Sequence, residues 1–264
     1  MAKINNIETE FFNVLNDLKD YLKDLTLVGG WLPYIYSRFL WRSPTTQSIT
    51  TADIDFGIRK QDIISNHSST IFDMLSKMDY TERYIELGKL SPVVLCKAGK
   101  IPIHFITDLD ISDTIIKKII GVRINIDKID KFNFLLEHRI PITVNYTKAI
   151  YNIYCPKPSA FLYHKGGTFI DRDEQGKQAK DLHYMYFILR FAPDVNTLFE
   201  EITSYKKKGY FSNIADNIND FFRSKTSEGC IMVEKEHGLD EYIEDLRQDI
   251  FEKFRELREI LKSN

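Results

Sequence analysis

The chain has 264 residues, 43% of them apolar, 13% aromatic and 28% charged, a balance that excludes a disordered or fibrous protein. Its 36 basic and 38 acidic residues leave a formal charge of −2, which excludes the strongly basic footprint of a general nucleic-acid binder. A chain of this length buries enough surface to need no disulfide or metal staple. Residues 97–190 alone carry 15 basic and 10 acidic groups, so any polyanion binding is expected to be local. Cys96, Cys155 and Cys230 form no metal-ligand spacing and read as reduced thiols. With no signal pattern and no apolar run of membrane length, a soluble, cytoplasmic protein with no membrane partner is expected.

In chain order, apolar residues at helical spacing from Ile7 to Leu25 predict an amphipathic opening helix. A short strand, Thr26 to Val28, leads into Gly29 and Gly30, and Trp31 to Trp41 reads as a second helix with Pro33 in its first turn. Ser43 to Ala52 is a polar loop before a strand over Asp53 to Ile58. Ser69 to Met78 predicts a short helix. Arg83 to Leu87, Val93 to Lys97 and Ile101 to Thr107 then read as an antiparallel or mixed meander. From Pro158 the pattern turns helical, with helices expected over Ser159–Lys165, Lys177–Phe191, Val195–Tyr205, Ile214–Arg223 and Leu239–Lys262. The last carries a heptad-like apolar stripe that reads as packing onto its own domain. The expectation is a mixed α/β fold: residues 1–155 as a catalytic core with a mixed sheet, residues 156–264 as a helical lobe, and a cleft between them.

The chemistry concentrates in Leu27-Val28-Gly29-Gly30 and, 23 residues after Gly30, Asp53-Ile54-Asp55-Phe56-Gly57. Strand side chains alternate, so Asp53 and Asp55 share one face while Ile54, Phe56 and Ile58 take the core. Two carboxylates so paired can hold Mg²⁺, which binds one or two carboxylates plus substrate phosphates. Two glycines between strand and helix let backbone amides approach an anion.

LVGG, a helix, then ADIDFGI resembles the nucleotidyltransferase superfamily with the DNA polymerase β-type catalytic fold, and within it the abortive-infection AbiEii-type toxins. Pro158 to Lys165, Arg172 and Lys180-Asp181-Leu182 resemble that family's later Lys and Lys-Asp motifs. The resemblance implies that Gly29 and Gly30 hold the nucleoside triphosphate and that Asp53 and Asp55 bind Mg²⁺. It implies that Lys165 contacts phosphates, and that Asp181 is a site partner or orients Lys165.

Two departures stand out. The family's third carboxylate belongs on the strand Lys100 to Thr107, where the acidic position is His104. This histidine reads as a general base or metal ligand, or as a structural residue, with Asp108 or Asp110 reaching the site from the strand end. Trp31 stands where many relatives carry Ser or Thr, and reads as a core residue. Among weaker candidates, His164, His183 and Lys206 to Lys208 with Tyr210 and Phe211 read as incidental.

The implied function is Mg²⁺-dependent transfer of a nucleoside monophosphate to an acceptor hydroxyl on RNA, tRNA or protein. By resemblance, the protein would be a toxin with a cognate antitoxin or a phage-defence protein. Two alternatives are a nucleotide- or RNA-binding pseudoenzyme lacking the third carboxylate and a small-molecule (antibiotic) nucleotidyltransferase.

Overall fold

The fold is mixed α/β, and the computed structural model describes residues 2–43, 51, 53–59, 67–84, 93–121, 126–211, 213–237 and 245–262. Ser43 aside, these divide into two compact units, one ending at Pro156 and one beginning at Lys157.

The first unit opens with α1 (Ala2–Asp17), whose Phe11, Val14 and Leu15 are fully buried. The apolar period continues to Leu25, yet the helix stops at Asp17 and Leu25 already belongs to β1 (Leu25–Val28). Between them Tyr21 and Asp24 donate back to the carbonyls of Leu18 and Tyr21. Such i→i+3 turns have a period near three and mimic a helix in sequence. The predicted second helix is a continuous helical stretch of uneven winding: a 3₁₀ turn over Gly29–Trp31, α2 (Leu32–Ile35) and a π turn over Tyr36–Leu40.

The chain then forms β2 (Ile54–Ile58), α3 (Ile71–Ser76), β3 (Thr81–Tyr84), β4 (Val93–Cys96), β5 (Ile103–Asp108), α4 (Asp113–Ile119), β6 (Asp127–Ile129) and α5 (Asn133–Glu137). The hairpin β7 (Arg139–Tyr146) and β8 (Ala149–Pro156) completes the unit. Most of the polar loop predicted over Ser43 to Ala52 lies outside the described residues, as does the end of the strand expected from Arg83 to Leu87.

The sheet runs β3-β4-β5-β2-β1-β8-β7, with β6 added on β5. It is mixed: β1–β2, β3–β4, β4–β5 and β7–β8 are antiparallel, while β1–β8, β2–β5 and β5–β6 are parallel. Leu27, Ile54, Phe56, Ile103, Phe105, Ile153 and Cys155 are buried on one face. Registry puts Thr26, Val28, Asp55, Gly57, His104 and Tyr154 on the other, because side chains alternate across a strand. The hairpin β7–β8 is absent from the predicted elements although its alternation is clear: Ile142, Val144, Tyr151 and Ile153 are buried between exposed Thr143, Asn145, Ile150 and Asn152.

The second unit is helical: α6 (Pro158–Thr168), α7 (Gln175–Phe191), α8 (Val195–Lys207), α9 (Ile214–Phe221), α10 (Glu228–His237) and α11 (Leu246–Lys262). α10 is an addition to the sequence reading. α11 buries Ile250, Phe254, Leu257 and Leu261 within its own unit, with Phe254 stacked on Phe222 at 3.6 Å between ring centroids. The first part of the predicted stripe, Leu239 and Ile243, lies outside the described residues.

Candidate active site

Antiparallel pairing places Val28, the last residue of β1, opposite Asp55 on β2. The next residue, Gly29, turns away with φ of +76°, a left-handed conformation that favours glycine. A β-carbon at Gly29 would lie 2.1 Å from Oδ2 of Asp55. Backbone conformation and the space taken by the carboxylate therefore both select glycine here, and the two motifs meet in one place.

Asp53 precedes β2 and accepts a hydrogen bond from the Thr51 hydroxyl at 2.5 Å. Its carbonyl accepts from the indole N–H of Trp31 at 2.9 Å. Trp31 is fully buried and stacks on Phe11 at 4.2 Å. It is a core residue as its sequence position suggested, and its N–H also ties the end of the glycine turn to the start of the DxD segment.

Gly57, two residues after Asp55, is needed for a different reason. A β-carbon there would lie 2.6 Å from Cδ2 of Leu136 and 3.1 Å from Cε1 of Phe132. α5 and the residue before it thus pack against the strand next to the acidic pair. Asp108 fixes that helix: its two carboxylate oxygens accept the backbone N–H groups of Asp110 at 3.1 Å and Asn133 at 2.6 Å. Asp108 sits four residues beyond His104 on β5, about 13 Å along the strand, and Asp110 is exposed. Neither is brought to Asp55.

His104 is brought there. Parallel pairing sets His104 beside Asp55, and Nδ1 of its ring lies 3.2 Å from Oδ1 of Asp55. Nε2 lies 3.1 Å from Oδ2 of Asp127 on β6. Burial works against a charged ring, but the carboxylates of Asp127 and Asp55 outweigh it and raise the imidazole to about 9. Nδ1 makes the hydrogen bond to Asp55, whereas Nε2 is a buried atom within ion-pair distance of Asp127 that is not aligned for a hydrogen bond to it. Asp127 was not singled out in the sequence. Ile126-Asp127-Lys128-Ile129 carries no alternating pattern that marks a strand, and the histidine it meets lies on the neighbouring strand β5.

Whether a divalent cation suits these residues can be tested on the donor set. Among the described residues no three His, Cys, Asp or Glu side chains gather as a self-sufficient metal cage. Asp55 nevertheless holds its Oδ2 over a glycine bend shaped to leave that space open. Two acidic side chains beside backbone amides suit Mg²⁺, which completes its shell with substrate phosphates and water. The Asp55 carboxylate over the glycine bend fits such an ion, and Asp53, two residues earlier, would be its second holder.

The profile of a family described as Nucleotidyltransferase matches residues 9–201, a span that takes in the glycine bend, the DxD segment, His104, Asp127 and the start of the helical unit. The chain belongs to the nucleotidyltransferase family. No curated protein and no solved structure gives a significant match. Among the described residues no helix is long and apolar enough to cross a membrane.

The helical unit of this nucleotidyltransferase collects the later motif residues around one carboxylate. Lys165 on α6 donates to Oδ1 of Asp181 on α7 at 2.6 Å, and Nε of Arg172 donates to Oδ2 at 2.9 Å. Burial opposes ionisation of Asp181, but the charges of Lys165 and Arg172 hold its carboxyl below the usual range. Lys165 and Asp181 are both buried. Beside them His164 is pushed down to about 3, first by burial and then by the Lys165 charge. His183, packed 5.6 Å from His237, is lowered to about 4 by burial and by its histidine neighbour. These two rings stay neutral in the folded protein. The lysine run ends α8, and Phe211 after it is buried against Tyr163.

Proposed function

We propose that the protein is a Mg²⁺-dependent nucleotidyltransferase that moves a nucleoside monophosphate from an NTP to an acceptor hydroxyl. The observation that carries the reading is the Asp55 carboxylate lying over the Gly29 bend. Asp53 and Asp55 would hold the cation, and the backbone amides of the Gly29–Gly30 turn would bind the triphosphate. The bound cation would neutralise charge developing on the α-phosphate and the pyrophosphate leaving group. His104 would fix the orientation of Asp55, and Trp31 would fix the backbone of Asp53. Within the helical unit, Asp181 would hold Lys165 and Arg172 in place. RNA, in particular tRNA, or a protein hydroxyl is the acceptor this reading favours. A toxin role with a cognate antitoxin in the cytoplasm is its biological setting, by likeness to the abortive-infection enzymes.

Incubation with each α-³²P-labelled NTP, Mg²⁺, total RNA and purified protein tests the reading. Label should move to RNA or protein with the wild type. It should fall by at least about a hundredfold with Asp55→Asn, as is typical when a group that stabilises the transition state is removed. Full transfer by Asp55→Asn overturns the proposal. A second reading, nucleotide binding without turnover, is favoured by one observation: histidine stands at the third acidic position and its ring engages Asp55. Tight NTP binding by calorimetry with no transfer to any acceptor would select it.

A further inference from the structure

The hairpin β7–β8 belongs to the first unit, and its outward face continues the face of the sheet that carries Asp55. Val28 pairs with Asp55 and Thr26 with Tyr154, while Pro156, two residues beyond Tyr154, pairs with Arg139. Asp55, Val28, Pro156 and Arg139 therefore form one row across four strands, which sets Arg139 about 14 Å from Asp55 at ordinary strand spacing. From that row the face runs along the hairpin through Tyr154, Pro141, Asn152, Thr143, Ile150 and Asn145. Tyr154 is partly covered and the other five are exposed, Ile150 at 69%.

Charge and chemistry point to one kind of partner for this face. The chain holds 38 acidic residues among 264, about one in seven, yet none lies between His138 and Ile170. The charges of the hairpin itself are Arg139 at its base and Lys148 at its tip. The Arg139 guanidinium is fixed on the Asp55 face, where it donates to Oγ1 of Thr26 at 3.0 Å and lies 4.0 Å over the Tyr154 ring. Farther along, the Thr143 hydroxyl donates to Oδ1 of Asn152 at 3.0 Å and holds that amide by its oxygen. Amides, a hydroxyl and an aromatic ring set between two cations suit the phosphates and bases of a single strand. Pro141 and Ile150 alone are too little apolar surface for a protein partner. We propose that the outward face of the β7–β8 hairpin binds the acceptor as a single-stranded RNA segment, which runs from Lys148 toward Arg139 and leads its end along the row to Asp55. This inference rests on the function proposed above, and it selects RNA over protein as the acceptor.

Fluorescence anisotropy of a labelled single-stranded RNA of about 15 nucleotides, long enough to fill such a face, measures this binding apart from catalysis when the full chain is held in EDTA without NTP. Asn145→Glu combined with Asn152→Glu should weaken binding by at least about tenfold. Asn145→Lys combined with Asn152→Lys should strengthen it, and the fall of log K with log salt should steepen by about 0.7 for each phosphate gained. Opposite effects of charge at the same two exposed positions separate binding from misfolding, and both pairs should bind Mg²⁺ and NTP as the wild type does. Equal RNA affinity in the wild type and both pairs, or no RNA binding by the wild type, overturns the inference. Undiminished labelling of a protein acceptor by the Glu pair assigns the acceptor to another class and overturns it as well. Failure of the function reads out separately: full transfer by Asp55→Asn removes the metal site and leaves the anisotropy result standing.

Discussion

Gly29 joins two demands that are met separately in most turns. Its positive φ disfavours a side chain, and the carboxylate of Asp55 takes the volume that a β-carbon would need. Alanine at this position has no local relaxation available that keeps both the bend and the acid in place. Gly29→Ala is expected to cost about 1–3 kcal/mol of stability, the range for a residue forced into a sparsely populated backbone region. It should also abolish Mg²⁺-dependent NTP binding. Calorimetric titration beside a thermal melt checks both, and a variant that binds nucleotide as the wild type does would remove the close contact from any functional account. The GG pair and the DxD segment were visible in the sequence as motifs. Their contact was not, because it depends on the antiparallel register Val28↔Asp55.

At the level of elements, helices were easier to locate than the sheet was to assemble. α11 was readable because a 3.6-residue period concentrates Ile250, Phe254, Leu257 and Leu261 on one face, and these residues are buried in the structure. Truncating that face should act locally. Phe254→Ala removes the ring stacked on Phe222 and is expected to cost about 3–5 kcal/mol. Hydrogen exchange should report this as lost protection in α9 and α11, and unchanged protection there would contradict the packing. The opening helix illustrates the opposite difficulty: burial at Leu18, Tyr21, Leu22 and Leu25 keeps a helix-like rhythm after the helix has ended, since turns and helices bury one side at similar intervals. α10 escaped notice because it buries Gly229, Cys230, Met232, Val233 and His237 without a single clear stripe.

For the whole molecule, the ionisable groups divide by unit into two opposite responses to pH. His164 and His183 are held neutral with values of about 3 and 4 against an ordinary 6.5. As pH falls below 6.5 the unfolded chain takes up protons that the folded helical unit refuses, so stability falls with acidification. Asp181 adds to this loss when its pair with Lys165 and Arg172 is protonated, because its lowered value gives stability that is present at neutral pH and lost in acid. His104 behaves in the reverse sense. Its folded value of about 9 exceeds the ordinary 6.5, so its contribution is complete below 6.5 and lost as pH rises through 9. Thermal melts from pH 4.5 to 10 should therefore decline at both ends. His164→Asn should flatten the acid side and His104→Gln the alkaline side; equal slopes in wild type and variants would contradict these assignments.

The sequence by itself determined the mixed α/β class, the helical second half, the glycine bend and the acidic pair, because each is written in residues close together along the chain, where spacing alone fixes which side chains share a face. The tertiary structure decided what those residues touch. His104 reaches Asp55 across 49 positions of chain, Asp127 arrives on a strand too short to announce itself, and Asp181 is shared between Lys165 and Arg172 through the packing of α6 against α7. Such contacts depend on strand register and helix packing, which arise from the burial of the whole apolar surface and leave no spacing rule in the sequence.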